Sequence, residues 1–354
     1  MPNFLCLSID GLQSGMIGAY GNTWIHTPTL DSLACRSALF DRFYASTLDL
    51  SATMSEWWRQ LPPNCRKILL TDDTGVFLHE QADLFEEKHR LEAKHRKRPA
   101  GRLEETQFFL AMATIADLLR NRSEKNFLLW AHFEGFRGIW DFPLSYRKRY
   151  QIDEDPEPYS SVVPPEIAGT EGIGKGIDPD VVQAVREAYS GGVTVLDDAL
   201  SGLFAFLEDE GLDSDTVLLF TSVRGFSLGE HNRIGVNEDL YGENVHLPLF
   251  LRFPAGSPAG FRSQTLLQPG DVFALLEKEN LPEDPNEVHP LLCIDGKVTV
   301  MPDWFVYQKP AGSELYVKPD DRWEVNDVAD RCPDVLEQIG CAVGLYNSPR
   351  ESME

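Results

Sequence analysis

Along most of the chain, short runs of apolar residues alternate with segments of helical spacing, and loop-forming residues separate the two. Val217 to Phe220 are four consecutive apolar residues, the pattern of a strand buried on both faces of a parallel sheet. Residues 4–10, 66–73, 127–133 and 249–252 read as further strands, the first ending in Asp10 and the second in Asp72 and Asp73. Between them the period changes. Phe108, Met112, Ile115 and Leu119 fall on one face of a helix over 104–120. Val182, Val185, Tyr189, Val193, Leu196, Leu200, Leu203 and Leu207 do the same over 179–210, where Gly191 and Gly192 predict a kink. Thr27 followed by Pro28 marks another helix start. Strands alternating with helices predict an α/β fold with a mainly parallel central sheet flanked by helices.

Residues 297–307 and 313–317 break that alternation and read as a small antiparallel sheet, followed by a C-terminal helix. The expected organisation is an α/β domain over 1–285 and a small C-terminal α+β subdomain over 286–354. Residues 150–175, rich in Pro, Gly and acids, read as a long surface loop. The charge-dense stretch 84–104 contains KHRLEAKHRKRPAGR. Alone it would suggest a nucleic-acid patch, but its flanking glutamates and the chain's charge favour a solvated helix or loop.

That charge is −24 over 354 residues, which argues against nucleic acid or an anionic membrane as a partner. No run of about 18 apolar residues predicts a membrane span. The N-terminus enters a strand at once and carries no secretory pattern. The six cysteines show no metal-type spacing. The expected setting is cytoplasmic, with free thiols.

Loop residues at the ends of buried strands are where an α/β sheet carries its chemistry. After Phe220 the chain reads T-S-V-R-G-F-S-L-G-E-H, and after Ile9 it reads D-G-L-Q-S-G-M-I-G-A-Y-G-N-T-W-I-H-T-P. Both stretches resemble motifs of the sulfatase family of the alkaline-phosphatase superfamily, and weaker similarity runs through 127–143, 233–254 and 314–339. The resemblance implies that fold, and a divalent cation, usually calcium, beside a nucleophile oxidised to formylglycine.

At the matching positions this sequence departs from the family. Asp10 keeps one metal-ligand position, but the second is Gly11, and the two in the later motif are Val223 and Arg224. The nucleophile position falls on Asp49, with Ser51 as a rival, and no cysteine lies in that segment. The catalytic His position is Arg137 and the Lys position is Asn237, while His231 is retained. His132, inside its strand, reads as a hydrogen-bonded core or edge histidine. Calcium wants six to eight oxygens, several of them carboxylates, and a permanent guanidinium charge at Arg224 opposes it. The expectation is therefore a vestigial pocket of Asp49, Arg137, Arg224, Asn237 and His231, with Asp10 as a remnant ligand, Arg224 pairing with Asp10 or Asp49, and no metal or other cofactor. The implied function is that of a sulfatase-like pseudoenzyme binding a small anion or a protein partner. A sulfuric- or phosphoric-ester hydrolase with a rearranged site is the alternative.

Overall fold

The first strand, Asn3–Ile9, is buried at every position and sorts its side chains by parity. Leu5, Leu7 and Ile9 enter one core while Phe4 and Cys6 enter another, as the two-residue period of a strand requires. It sits centrally in an eight-stranded sheet, between the parallel strands Thr216–Thr221 and Phe127–Phe133. Arg66–Thr71 and then Glu87–Arg90 continue the parallel order to one edge. Toward the other edge, Leu249–Arg252 runs antiparallel between Thr216–Thr221 and Ala38–Phe40, and Phe261–Ser263 closes the sheet. In this computed structural model residues 2–347 are described, apart from 94–95, 123–125, 170–175, 255–257, 277–280, 283 and 285.

Helices Pro28–Cys35, Gln107–Arg120 and Pro179–Asp209 supply apolar side chains to one core. Leu50–Trp58 and Val272–Leu275 supply the other, which also takes Ile294, Val298, Phe305 and Tyr316 from the C-terminal sheet. That sheet is a four-stranded antiparallel meander of Leu292–Ile294, Val298–Val300, Trp304–Lys309 and Gly312–Val317. Pro333–Asn347 forms the last helix. The α/β reading of the sequence holds, with a mainly parallel sheet, helices on both faces and the small antiparallel sheet after it. The boundary expected at 285 and 286 falls beside Pro285, which lies outside the described residues.

Three local expectations need correction. The apolar run at 297–307 is two strands, because Pro302 lacks an amide proton and sits in a turn that Met301 N closes onto Trp304 O at 2.8 Å. Within 84–104, Glu87–Arg90 is an edge strand with alternating charged side chains, and such charges guard an edge against further pairing. Lys94 and His95 of that run, and residues 170–175 of the expected surface loop, lie outside the described residues.

The third correction concerns the long helix, which runs from Pro179 to Asp209 with helical dihedrals throughout and no break at Gly191 or Gly192. The two glycines admit neighbours. A Cβ on Gly191 would meet the Arg147 backbone at 2.7 Å, and one on Gly192 would meet the Phe142 ring at 2.3 Å. This helix is long and apolar enough to cross a membrane, yet most of its apolar window is buried against the sheet and the Gln107–Arg120 helix. Burial in the fold accounts for its composition.

The same helix offers an internal control. Gly191→Ala forces backbone apart and should lower unfolding free energy by about 1–3 kcal/mol despite alanine's better propensity. Gly202→Ala meets nothing within 4 Å and should raise it by about 0.5–1 kcal/mol. Urea denaturation of the two variants checks both signs.

Candidate functional site

Parallel strands deliver their C-terminal ends to one edge of the sheet, and there Asp10, Asp72, Asp73 and Glu134 follow directly on their strands, with Arg224 three residues past Thr221. Arg137 arrives from the loop after Phe133. That loop packs against the first strand's end through hydrogen bonds from Asp10 N to Phe133 O and from Phe136 N to Asp10 O. Gly11 makes the approach possible, since its φ is +75° and a Cβ there would sit 3.1 Å from Phe136 Cβ. The Thr221–Arg224 loop is fastened by the Ser222 hydroxyl, 2.7 Å from Ile9 O, and by Gly11 N donating to Arg224 O at 3.1 Å.

This scaffold buries the Asp10 carboxylate completely. Arg224 grips it as a fork, Nε to Oδ1 and Nη2 to Oδ2, each at 2.9 Å. Arg137 Nε donates to Oδ2 at 2.8 Å, and Arg137 Nη2 reaches Asp73. Glu134 Oε1 stands 3.6 Å from the same Nη2. Burial pushes the Asp10 carboxyl up, but the charge and hydrogen bonds of Arg224 and the charge of Arg137 outweigh it and hold the group below the usual carboxylate range. Asp73 also caps the short helix Thr74–Phe77 through Val76 N. Asp72 accepts from Glu134 N and Gln107 Nε2, and burial raises its carboxyl to about 7.

His132 lies beneath this cluster, fully buried. Its Nδ1 meets the Ser8 hydroxyl at 2.8 Å, and its Nε2 has no hydrogen-bond partner among the described residues. The core-histidine reading is therefore right in place but half right in satisfaction. Burial depresses its pKa to about 4, against the pull of Asp10 and Asp73, so the ring is neutral.

The structure brings together Asp10, Arg137 and Arg224 from the sequence-predicted set and leaves the others elsewhere. Of the two partners expected for Arg224, Asp10 is the one found. Asp49 is exposed, and its Oδ1 caps the Leu50–Trp58 helix by accepting from Ala52 N at 2.7 Å. Arg224 approaches that turn only at Leu48 O, 3.4 Å away. Asn237 is committed to loop contacts with Ser227, Gly235, Asp239 and Asn244. His231 stacks on Tyr241 with ring centroids 3.4 Å apart. Its Nδ1 faces Glu243 and its Nε2 faces Glu324 O, both at 3.0 Å. Burial lowers its pKa, but these acceptors raise it above the ordinary value, and through both contacts His231 ties loops together.

Among the described residues the rival nucleophile Ser51 has no base on its hydroxyl. His79 Nε2 lies 3.0 Å from the Ser51 carbonyl oxygen, and its Nδ1 accepts from Gln81 N. The proton therefore sits on Nε2, which cannot accept one from Ser51 or from the nearby Ser55 hydroxyl. Motif matching missed Asp73 and Glu134. The signal available was their position, as acids directly after buried strands.

The calcium ion implied by the resemblance does not fit this donor set. Both Asp10 oxygens already accept from guanidiniums, and among the described residues no group of three or more His, Cys, Asp or Glu is arranged to hold a metal. A dication beside two fixed positive charges would be opposed by several kcal/mol, about 4 per unit-charge pair at 4 Å and intermediate dielectric.

The sulfatase family model matches residues 76–276, more than half of the 354-residue chain. Over 87 residues, 24% of this chain, the sequence is 36% identical to the multifunctional alkaline phosphatase superfamily protein PehA of Trinickia caryophylli. Over 93 residues, 26% of this chain, it is 30% identical to an N-acetylglucosamine-6-O-sulfatase of Bacteroides thetaiotaomicron. Each of these matches spans 16% of the relative's length. Whole-chain likeness is clearer in structure. The phosphonate monoester hydrolase of Agrobacterium radiobacter superposes with a TM-score of 0.72 at 16% identity, covering 98% of this chain and 95% of that one. BT4656, solved with D-glucosamine-2-N,6-O-disulfate, gives 0.73 at 14% identity and 99% coverage of both. At these identities the likeness is one of fold.

Removing the buried carboxylate should show how much the clasp holds. Asp10→Ala strands two guanidiniums and should cost about 3–5 kcal/mol of stability. Asp49→Ala loses only a helix cap, about 1 kcal/mol. Chemical denaturation of the pair decides it.

His132 sets an acid limit. The unfolded ring takes a proton below about pH 6.5, and the native ring refuses it down to about 4. Its contribution is therefore full above 6.5 and is lost as pH falls toward 4, at up to about 1.4 kcal/mol per pH unit. His132→Gln should flatten the pH dependence of unfolding free energy across that window, relative to wild type. A parallel offset would reject the assignment.

Proposed function

The chain belongs to the sulfatase family, and from that premise we propose that it is a catalytically silent member that binds a small anion or a protein partner. One observation carries the reading: Arg224 and Arg137 together saturate both oxygens of Asp10, the single ligand position that the sequence retains. The guanidiniums supply the positive charge that would otherwise have to come from a cation, and they neutralise a carboxylate that could not remain buried alone.

Three further features support it. Arginine at 137 stays charged near neutral pH and cannot exchange protons as a histidine would. Asp49 faces solvent as a helix cap, and among the described residues Ser51 has no group to take its proton. Val223 is buried and apolar, with no oxygen to offer. No cofactor is part of this reading. All six cysteines are free, two of them buried, which accords with a reducing, cytoplasmic setting. The charge of −24 makes nucleic acid and anionic membrane poor partners.

The second reading is a sulfuric- or phosphoric-ester hydrolase with a rearranged site. What favours it is that the relatives are named as a sulfatase and phosphonate monoester hydrolases.

Metal content and turnover separate the two. Protein incubated with calcium and magnesium, then desalted, should carry well under one ion per chain by mass spectrometry. It should turn over an aryl sulfate, a phosphate monoester and a phosphonate monoester no faster than the Asp10→Ala variant. Stoichiometric metal, or metal-dependent turnover lost in Asp10→Ala, would establish the hydrolase reading.

A further inference from the structure

A cavity of about 210 Å³ opens where the glycine-rich loop after the first strand, the Tyr44 and His246 strand pair, and residues 318–324 meet. Asp10, Arg137 and Arg224 do not line it. Its basic side chains are Arg42, Arg262, Lys318 and Arg322, and three of them are committed. Arg262 pairs with Asp41 at 2.6 Å and donates to Ala19 O. Arg42 donates to Pro302 O and Gln264. Lys318 meets the Glu324 carboxylate and the carbonyls of Asp321 and Arg322.

Arg322 is different. Among the described residues its guanidinium has no hydrogen bond and no ion pair, and it lies 5.0 Å from the Trp323 ring centroid. Its terminal nitrogens are held over the glycine loop, 3.3 Å from where a Cβ on Gly21 would be and 3.6 Å from one on Gly15. Its five donors are thus partly withdrawn from water and free to take an acceptor.

A second free donor faces the same space. Tyr44 is almost fully buried, and its hydroxyl has no hydrogen-bond partner among the described residues. Burial, with the Glu324 charge nearby, holds that phenol protonated. The ring is stacked on His246 at 5.0 Å, which fixes its direction. His246 adds no charge, because its Nε2 donates to Asp41 O at 2.7 Å and burial depresses its pKa to about 4. The acidic groups are already engaged, Asp41 by Arg262, Glu324 by Lys318 and Gly242 N, and Glu243 by His231.

The capacity left over in this cavity is thus donor capacity on Arg322 and Tyr44, with the Arg42 charge nearby held only by neutral acceptors, beside the apolar surfaces of Trp323, Pro319 and Met301. We propose that the cavity binds a small organic oxyanion, a carboxylate or a sulfate or phosphate ester, gripped by Arg322 and Tyr44, with its apolar part against Trp323. Guanidinium forks match the geometry of such groups. The volume equals that of about seven liquid waters, enough for a charged head and one small ring. This site stands apart from the Asp10 cluster, so the inference does not rest on that cluster being inactive.

Isothermal titration of the full chain with benzoate, phenyl sulfate and phenyl phosphate tests it, with benzylamine as the cationic control. At least one anion should bind with Kd below about 1 mM, and the amine should not bind. Arg322→Gln should weaken that anion at least tenfold by removing a charged hydrogen bond, and Tyr44→Phe about threefold to tenfold. Tyr44→Phe deletes no internal hydrogen bond, so it should melt with wild type and keep the test decisive if Arg322→Gln folds poorly. The anion that binds best identifies the head group. No saturable binding by any of the three, equal binding of benzylamine, or an unchanged Kd in the variants would overturn the proposal.

Discussion

A carboxylate with no access to water must be neutralised by something, and in this protein two guanidiniums do it. Asp10 sits at the end of the central strand, and Arg224 and Arg137 reach it from loops that follow the neighbouring strands on either side. The three strand ends are thereby locked across the middle of the sheet. Arg137 extends the lock to Asp73 on the next strand. Removing Asp10 takes a carboxylate from both guanidiniums at once, so the loops around them are constrained as a set.

A second polar assembly ties the C-terminal segment to the same body. His231 stacks on Tyr241 and bridges Glu243 and the carbonyl of Glu324. The Glu324 carboxylate accepts from Gly242 N and from Lys318. Residues retained from a family motif thus serve here as structural joints. By anchoring residues 318–324 beside the glycine loop, they also form one wall of the cavity where Arg322 is left without an acceptor. The two sites differ in kind. In the Asp10 cluster both guanidiniums are taken up by carboxylates, whereas in the cavity the Arg322 guanidinium meets no acceptor among the described residues.

Residue types and periods fixed much of this in advance. Apolar runs of four to seven residues located the central strands, and helical spacing located both long helices, because each pattern reflects which face is buried. That Arg224 would pair with an acid was legible too, but the choice between Asp10 and Asp49 was not, and the fold made it. Less legible were features that depend on what packs nearby. Nothing local distinguishes Gly191 as a seat for the Arg147 backbone from Gly191 as a kink. The charged stretch at Glu87–Arg90 became an edge strand because Arg66–Thr71 offered it a partner.

By itself the sequence determined the α/β architecture, the family, and the replacement of ligand oxygens by Gly11, Val223 and Arg224, because these follow from periodicity and from side-chain identity. Only the tertiary structure decided which charges meet. It placed Arg137 between Asp10 and Asp73, turned Asp49 outward as a helix cap, and drew His231 and Asn237 into loop contacts. It also brought Tyr44 and Arg322, nearly three hundred residues apart, to one cavity. Coulomb and hydrogen-bond energies depend on distances of a few ångströms and on exclusion of water, and neither is written in the order of residues along the chain.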